Sequence, residues 1–284
     1  MKKENLLPIN FYRFVLISLS IFSILSGLQV RQVMAKKGVL ATSVIWNAVA
    51  ILLFGIGLIL TVFGVISMRR SEPLSFFVSL KKAFSSVGEG LSIIFIVLIS
   101  MFYIFFFRLH PSFNAFFGGF IPHLLLLWVC TLLIFALLNE LLRTEPKEQN
   151  YVQCLLIIPL CLIISQKIIG SFTSINNVPF SSSWAESSHL YFSSVIFSKK
   201  IYGISLPVYP YNLTRYIMQS IPFLFSNLPI WVHRAWQVFL NVSVVLVFIL
   251  SLQKRLNIKN RLIQLIFLTF NYLWLSQIYI YYHL

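Results

Sequence analysis

The residues best suited to chemistry in this chain are a glutamate and a histidine one helical turn apart. Glu186 is the only carboxylate side chain after Glu148, in a chain of 284 residues that has a formal net charge of +15. His189 follows it by three residues. A solitary carboxylate in a basic region is a strong candidate for chemistry. Two ligands are too few for a metal ion, so this pair predicts no metal site.

The spacing of polar side chains predicts a helix that presents this pair. From residue 184 to residue 200, one stripe at helical spacing is polar and is interrupted by a single isoleucine. The stripe consists of Glu186, His189, Ser193 and Lys200. Ile201-Tyr-Gly203 is expected to end this helix, and Asn212-Leu-Thr-Arg215 to open another short one.

Each of these polar residues also has a structural interpretation. Ser183 and Glu186 have the spacing of a capping box, in which the two side chains satisfy amides at a helix start. His189 could serve only as a partner of Glu186 one turn away. Arg234, near the start of a predicted span, could simply extend its side chain to the membrane surface.

The composition predicts the elements that must position these residues. Hydrophobic residues make up 58% of the chain and charged residues 10%. Long uncharged apolar runs of this kind cross membranes as helices, because lipid offers the backbone no hydrogen bonds. We therefore predict an all-α integral membrane protein with about seven transmembrane helices. The predicted spans are Phe14–Val30, Val39–Ser67, Leu91–Phe107, Ile121–Leu142, Val152–Gln166, Ile230–Leu252 and Leu262–Tyr282.

The distribution of lysine and arginine predicts the orientation. With a cytoplasmic N-terminus, thirteen of these residues fall in inner segments and four in the two short outer loops. The positive-inside rule favours that arrangement. It predicts a membrane region over 1–166 with five spans, a large outer loop with short helices over 167–229, and two further spans over 230–284.

The outer loop resembles a known superfamily. The motifs are Trp184-Ala-Glu-Ser-Ser-His-Leu-Tyr-Phe192, Ile201-Tyr-Gly203, a proline-rich aromatic stretch, Pro222-Phe-Leu224 and Leu228-Pro-Ile-Trp-Val-His-Arg234. Together they look like the first large outer loop of GT-C-type membrane glycosyltransferases. More narrowly, they resemble a group of uncharacterised bacterial multi-span proteins similar to that superfamily. The resemblance covers residues 180–255.

The resemblance implies inverting transfer of a sugar from a polyprenyl-phosphate donor to an acceptor on the outer face. Glu186 would be the general base, and His189 would orient or assist it. The donor phosphate would be held by cationic side chains, namely Arg215 and Arg234 with His233 or Lys200. Sugar rings would stack on Tyr202, Tyr209 and Tyr211.

The resemblance also implies a setting for the protein. The partners would be the lipid bilayer, a lipid-linked sugar donor and an acceptor that the sequence does not specify, with no nucleic acid. We expect a multi-pass protein of a bacterial plasma membrane with no cofactor, although some members of the superfamily use a divalent metal. Members usually carry further spans, so we expect a truncated chain or the N-terminal part of a longer one.

A second class of function stays open from the residues alone. A non-catalytic membrane subunit, or a transporter for lipid-linked glycans, would use the same outer loop as a docking surface. The Glu186 carboxylate separates the two classes, because only an enzyme needs it as a proton acceptor.

Overall fold

The structure of the chain is a computed structural model made of helices. It describes residues 9–39, 42–69, 88–109, 111–142, 148–173, 175–178, 184–208, 213–225 and 228–283. These residues form eleven α-helices and one 3₁₀ helix, with no strand among them. The α-helices are α1 (Ile9–Lys36), α2 (Val44–Met68), α3 (Glu89–Leu109), α4 (Pro111–Phe117), α5 (Phe120–Leu142), α6 (Glu148–Phe172), α7 (Trp184–Val195), α8 (Ser198–Tyr202), α9 (Leu213–Gln219), α10 (Ile230–Arg255) and α11 (Arg261–His283). The 3₁₀ helix spans Ile221–Leu224.

Six of the described helices are long and apolar enough to cross a membrane. They are α1, α2, α3, α5, α6 and α10, and they match the first six predicted spans. The predicted class, an all-helical membrane protein, is thereby confirmed. The seventh predicted span coincides with α11, which is helical but is not one of the six, so this last crossing stays a prediction.

Two predicted span boundaries differ from the helices. The second span begins at Val44 instead of Val39, because the chain turns at Gly38, whose φ is +69°. The fifth runs to Phe172 instead of ending at Gln166, with Pro159 inside it. A helix in a membrane protein can tolerate an internal proline when other groups satisfy the freed backbone carbonyl.

The chain divides into two compact units, Met1–Leu162 and Ile163–Leu284. Their boundary lies within α6, close to the predicted end of the N-terminal membrane region at residue 166. The further predicted division, between a loop over 167–229 and two spans over 230–284, stays a prediction.

Helices α1 and α2 pack in the first unit through small and hydroxyl side chains. Ser20 Oγ donates to the carbonyl oxygen of Gly57 at 3.0 Å and lies 2.6 Å from Thr61 Oγ1. A Cβ atom added to Gly57 would lie 2.5 Å from Ile24 Cγ1 and 2.9 Å from the Ile24 nitrogen. Small residues allow this close backbone approach, which is the usual way that membrane helices associate.

Replacing Gly57 by alanine should therefore separate the two helices and weaken their hydrogen bond. We expect a loss of about 1–3 kcal/mol in the free energy of unfolding, the usual cost of overpacking. Gly55 of the same helix has no neighbour within 4 Å of an added Cβ atom, which makes Gly55→Ala the matched control. Unfolding of both variants in detergent measures the difference, and equal stabilities would contradict this packing.

The second unit has an apolar core between its long helices. Val245 and Ile249 of α10, Tyr272 of α11 and Ile164 of α6 form one buried cluster. Near the α10–α11 turn, the Gln253 side-chain amide donates to the carbonyl oxygen of Gln264. The segment that precedes α10 carries the candidate site.

Candidate functional site

The helix predicted over residues 184–200 is two helices instead of one. Helix α7 ends at Val195, a turn follows at residues 196 and 197, and α8 begins at Ser198. Gly203 ends α8 with a φ of +74°, as the sequence predicts for that position. The break means that Lys200 does not continue the polar stripe of α7.

Glu186 and His189 both lie on α7, as predicted. Glu186 is the third residue of that helix, one turn before His189. Ser183, the other half of the predicted capping box, lies outside the described residues, as do Tyr209 and Tyr211. The roles predicted for these residues stay predictions.

His189 and Arg215, two of the predicted site residues, meet side by side. Arg215 is the third residue of α9, and its Nη2 lies 3.1 Å from His189 Nδ1. A guanidinium can only donate, so Nδ1 accepts this hydrogen bond. The neutral imidazole then carries its proton on Nε2 and presents a donor there. Through this contact, α7 packs beside the permanently charged guanidinium of Arg215.

Further contacts hold α7 against α9. Ser193 Oγ donates to the carbonyl oxygen of His189 at 2.7 Å and lies 3.4 Å from Gln219 Oε1. The rings of Phe192 and Tyr216 pack with their centroids 5.4 Å apart. The His189–Arg215 pair is therefore supported on its inner side by an aromatic contact and a hydrogen-bonded serine.

Two other predicted site residues make local contacts. Lys200 Nζ donates to the carbonyl oxygen of Leu224, so its ammonium group ties α8 to the 3₁₀ helix. The Tyr202 hydroxyl lies 2.7 Å from Ser194 Oγ, and 45% of the Tyr202 side chain is exposed. An exposed aromatic face of this kind is able to stack on a ring.

Arg234 fastens the start of α10 to the segment before α7. Only 4% of it is exposed. Its Nη1 donates to the carbonyl oxygen of Asn176 and, at 2.8 Å, to Asn176 Oδ1, and its Nη2 donates to the carbonyl oxygen of Val178 at 2.7 Å. The backbone nitrogen of Trp231 donates to Asn177 Oδ1 at 3.3 Å. Arg234 thus serves as a clamp, and its predicted contact with a donor phosphate stays a prediction.

Sequence reasoning missed the asparagines of this clamp. Asn176 and Asn177 stand together in the loop before α7, where asparagine is common because its side chain mimics a backbone turn. Asn176 Oδ1 does accept from the Val178 nitrogen, at 2.8 Å. The long-range contact with Arg234 leaves no local signal, since the residues are 58 positions apart.

His233 is buried beside this clamp. Its ring packs against Phe223 with the centroids 4.2 Å apart, and 9% of the residue is exposed. Within the described part of the chain, His233 Nδ1 is a buried atom without a hydrogen-bond partner. Buried polar atoms of this kind usually have a partner, so His233 Nδ1 is an exception in the described part of the chain.

An apolar stripe runs along the outside of α9 and the 3₁₀ helix. Its side chains recur at helical spacing and are between 37% and 64% exposed, while Tyr216 and Ser220 on the opposite side are buried. The stripe consists of Leu213, Ile217, Ile221, Leu224 and Phe225. Trp236 Nε1 of α10 donates to the carbonyl oxygen of Met218, which ties this amphipathic segment to a helix long enough to span a membrane.

The described residues contain no group of three His, Cys, Asp or Glu side chains that could hold a metal ion. Comparisons with models of known protein families, with curated proteins and with solved structures find no match. The membrane class therefore rests on the six apolar helices, and the function rests on the chemistry of the segment between α6 and α10.

Proposed function

We propose that this chain is a glycosyltransferase-like membrane protein that transfers a sugar from a polyprenyl-phosphate donor to an acceptor hydroxyl. The reaction would occur at the outer face of a bacterial plasma membrane, with the N-terminus in the cytoplasm. The observation that carries the proposal is the contact between His189 and Arg215, because it sets a fixed cation beside the histidine that lies one helical turn after Glu186, the only carboxylate side chain after Glu148.

The chemistry of this arrangement suits an inverting transfer. The acceptor oxygen attacks the anomeric carbon and forms the new glycosidic bond, while the bond from that carbon to the phosphate oxygen breaks. The acceptor proton passes to Glu186, and the polyprenyl phosphate leaves with the bonding electron pair. General-base assistance of this kind contributes about 10²–10⁴ in rate. Arg215 would stabilise the negative charge on the leaving phosphate.

The apolar stripe supports a lipid-linked donor. A helix with one apolar face and one polar face lies in the membrane interface with its apolar side chains in the acyl region. The stripe from Leu213 to Phe225 ends five residues before α10, so its natural environment is the leaflet in which α10 begins. Arg215, on the same helix, would then lie at the depth of lipid phosphates.

A non-catalytic subunit or transporter for lipid-linked glycans is the second candidate. The Arg234 clamp favours it, because a cation expected to bind the donor phosphate already donates to three protein oxygens. In that case the stripe and the exposed Tyr202 would form a docking surface for a lipid-linked glycan.

The His189–Arg215 contact should be visible as coupling between the two residues in a transfer assay. We expect His189→Ala and Arg215→Ala each to lower transfer from a polyprenyl-phosphate sugar in reconstituted vesicles. The double variant should lose less than the two single effects predict, with a coupling of about 1 kcal/mol, or roughly fivefold in rate. Lys199→Ala removes an exposed cation of α8 and is the control. Strictly additive effects would contradict a joint role.

The proposed orientation predicts which side of the membrane the site faces. In a variant without the three native cysteines, Ser188→Cys on α7 should react with a membrane-impermeant maleimide added to intact cells. Leu256→Cys, in the exposed turn after α10, should react only after the cells are permeabilised. The reverse pattern would overturn both the orientation and the proposed reaction at the outer face.

A further inference from the structure

A groove between α1 and α2 has the form of a lipid-binding site. It is a cavity of about 310 Å³ lined by one stripe of each helix. The stripe of α1 consists of Gly27, Leu28 and Arg31, and that of α2 consists of Asn47, Ala50, Ile51 and Phe54. The two helices are joined by the short turn that follows Lys36, so Arg31 and Asn47 lie at the turn end of the groove. Phe54 lies ~15 Å along α2 from its start, at 1.5 Å per residue.

The floor of the groove is formed by the two backbones in contact. A Cβ atom added to Gly27 would lie 2.8 Å from the Ala50 carbonyl oxygen and 3.1 Å from the Phe54 nitrogen. The walls remain open, because Leu28 is 50% exposed and Ile51 is 71% exposed. The groove is therefore polar at one end, apolar along its length and accessible from the side.

Among the described residues, the charge at the polar end has no counter-ion. Arg31 is exposed, and within the described residues it makes no hydrogen bond or ion pair. The sequence between Glu4 and Glu72, which includes both helices and their turn, contains no Asp or Glu. Lys36 and Lys37 add positive charge at the same turn. A guanidinium pairs well with a phosphate, which it can bind through two parallel hydrogen bonds.

We propose that this groove binds one phospholipid with an anionic headgroup, whose phosphate contacts Arg31 and whose acyl chain lies along Leu28, Ile51 and Phe54. The groove is polar near Arg31 and apolar toward Phe54. A lipid likewise has a polar headgroup at the membrane surface and apolar chains inside the membrane. The site lies in the first unit of the chain and is independent of the function proposed for the second.

Native mass spectrometry of the full chain tests this proposal. The protein is taken from micelles that contain equal amounts of dioleoyl phosphatidylglycerol and dioleoyl phosphatidylcholine, and the lipids retained at increasing collision energy are counted. We expect one phosphatidylglycerol to be retained in preference. Arg31→Gln should lower this preference about fivefold, as expected for one cation near a membrane surface, and Arg31→Lys, which keeps the charge but loses the paired hydrogen bonds, should lower it less.

Two further variants separate a specific site from general attraction. Lys36→Gln removes the same charge from the same turn but does not line the groove, so the preference should stay unchanged. Ile51→Trp fills the groove from its exposed side and should reduce retention of both lipids without changing the thermal midpoint of unfolding. Equal retention of the two lipids by the unmodified chain, or an equal loss in Lys36→Gln, would overturn the proposal. Displacement by glycerophosphate without acyl chains would do so as well, because it would indicate a simple anion site.

Discussion

Replacing Glu186 by glutamine is expected to lower sugar transfer by about 10²–10⁴-fold, the range that general-base assistance contributes. Glutamine preserves the size and the hydrogen-bonding capacity of the side chain, and it serves in a capping box as well as glutamate does. It cannot accept the acceptor proton. No other carboxylate follows Glu148 in the sequence to replace it. Transfer from a polyprenyl-phosphate sugar by the purified chain in vesicles is the measurement.

Two companion variants define the interpretation of this result. Glu186→Ala removes both the proton acceptor and any cap, so it should be at least as inactive as Glu186→Gln. Ser188→Ala, at an exposed position of the same helix, should leave transfer unchanged. Full activity in Glu186→Gln would show that the carboxylate has no role as a base, and the non-catalytic function would then be preferred.

Replacing Arg234 by alanine is expected to destabilise the second unit by about 3 kcal/mol. The substitution removes a nearly buried guanidinium that donates to three oxygens of Asn176 and Val178. A hydrogen bond to a charged group contributes about 1.5–3 kcal/mol, and the oxygens of the exposed residues Asn176 and Val178 will recruit water when the guanidinium is removed. Unfolding in detergent measures the loss. Arg255→Ala, at the exposed end of the same helix, is the matched control and should have little effect.

Lysine at position 234 distinguishes a clamp from a phosphate ligand. Lysine keeps the charge but lacks the planar fork that reaches several oxygens at once. A clamp therefore predicts that Arg234→Lys is almost as unstable as Arg234→Ala. If Arg234→Lys is as stable as the unmodified protein and only donor affinity falls, the clamp is wrong and the phosphate role is correct.

The membrane helices could be predicted from the sequence because their signal is local. An uncharged apolar run determines its own helix, whatever lies beside it. Their ends were less predictable. The turn at Gly38 delays the start of α2, and hydropathy does not detect this turn. Helix α6 continues past Lys167, although the predicted span ends just before this charged residue.

The site could be predicted only in part. The sequence, through the family resemblance, assigned His189 and Arg215 separate roles in one site, and the structure brings the two side chains within 3.1 Å of each other. The sequence did not predict the break after Val195, which takes Lys200 off the polar stripe, nor the clamp between Arg234 and Asn176. The clamp depends on a contact between residues 58 positions apart, for which a single sequence carries no periodic or spacing signal, whereas the break coincides with the isoleucine that interrupts the stripe.

The close packing of α1 and α2 has a consequence for the order of folding. Their contacts join residues separated by one short turn, so the loop that must close is small and its entropic cost is low. Pairings between such near neighbours form quickly, and synthesis delivers this hairpin before the segment that carries Glu186. The packing of α1 against α2, with its hydrogen bonds among Ser20, Gly57 and Thr61, can therefore form before the ribosome has synthesised Glu186. A defect at Gly57 would then act on the nascent chain, before any part of the candidate site exists.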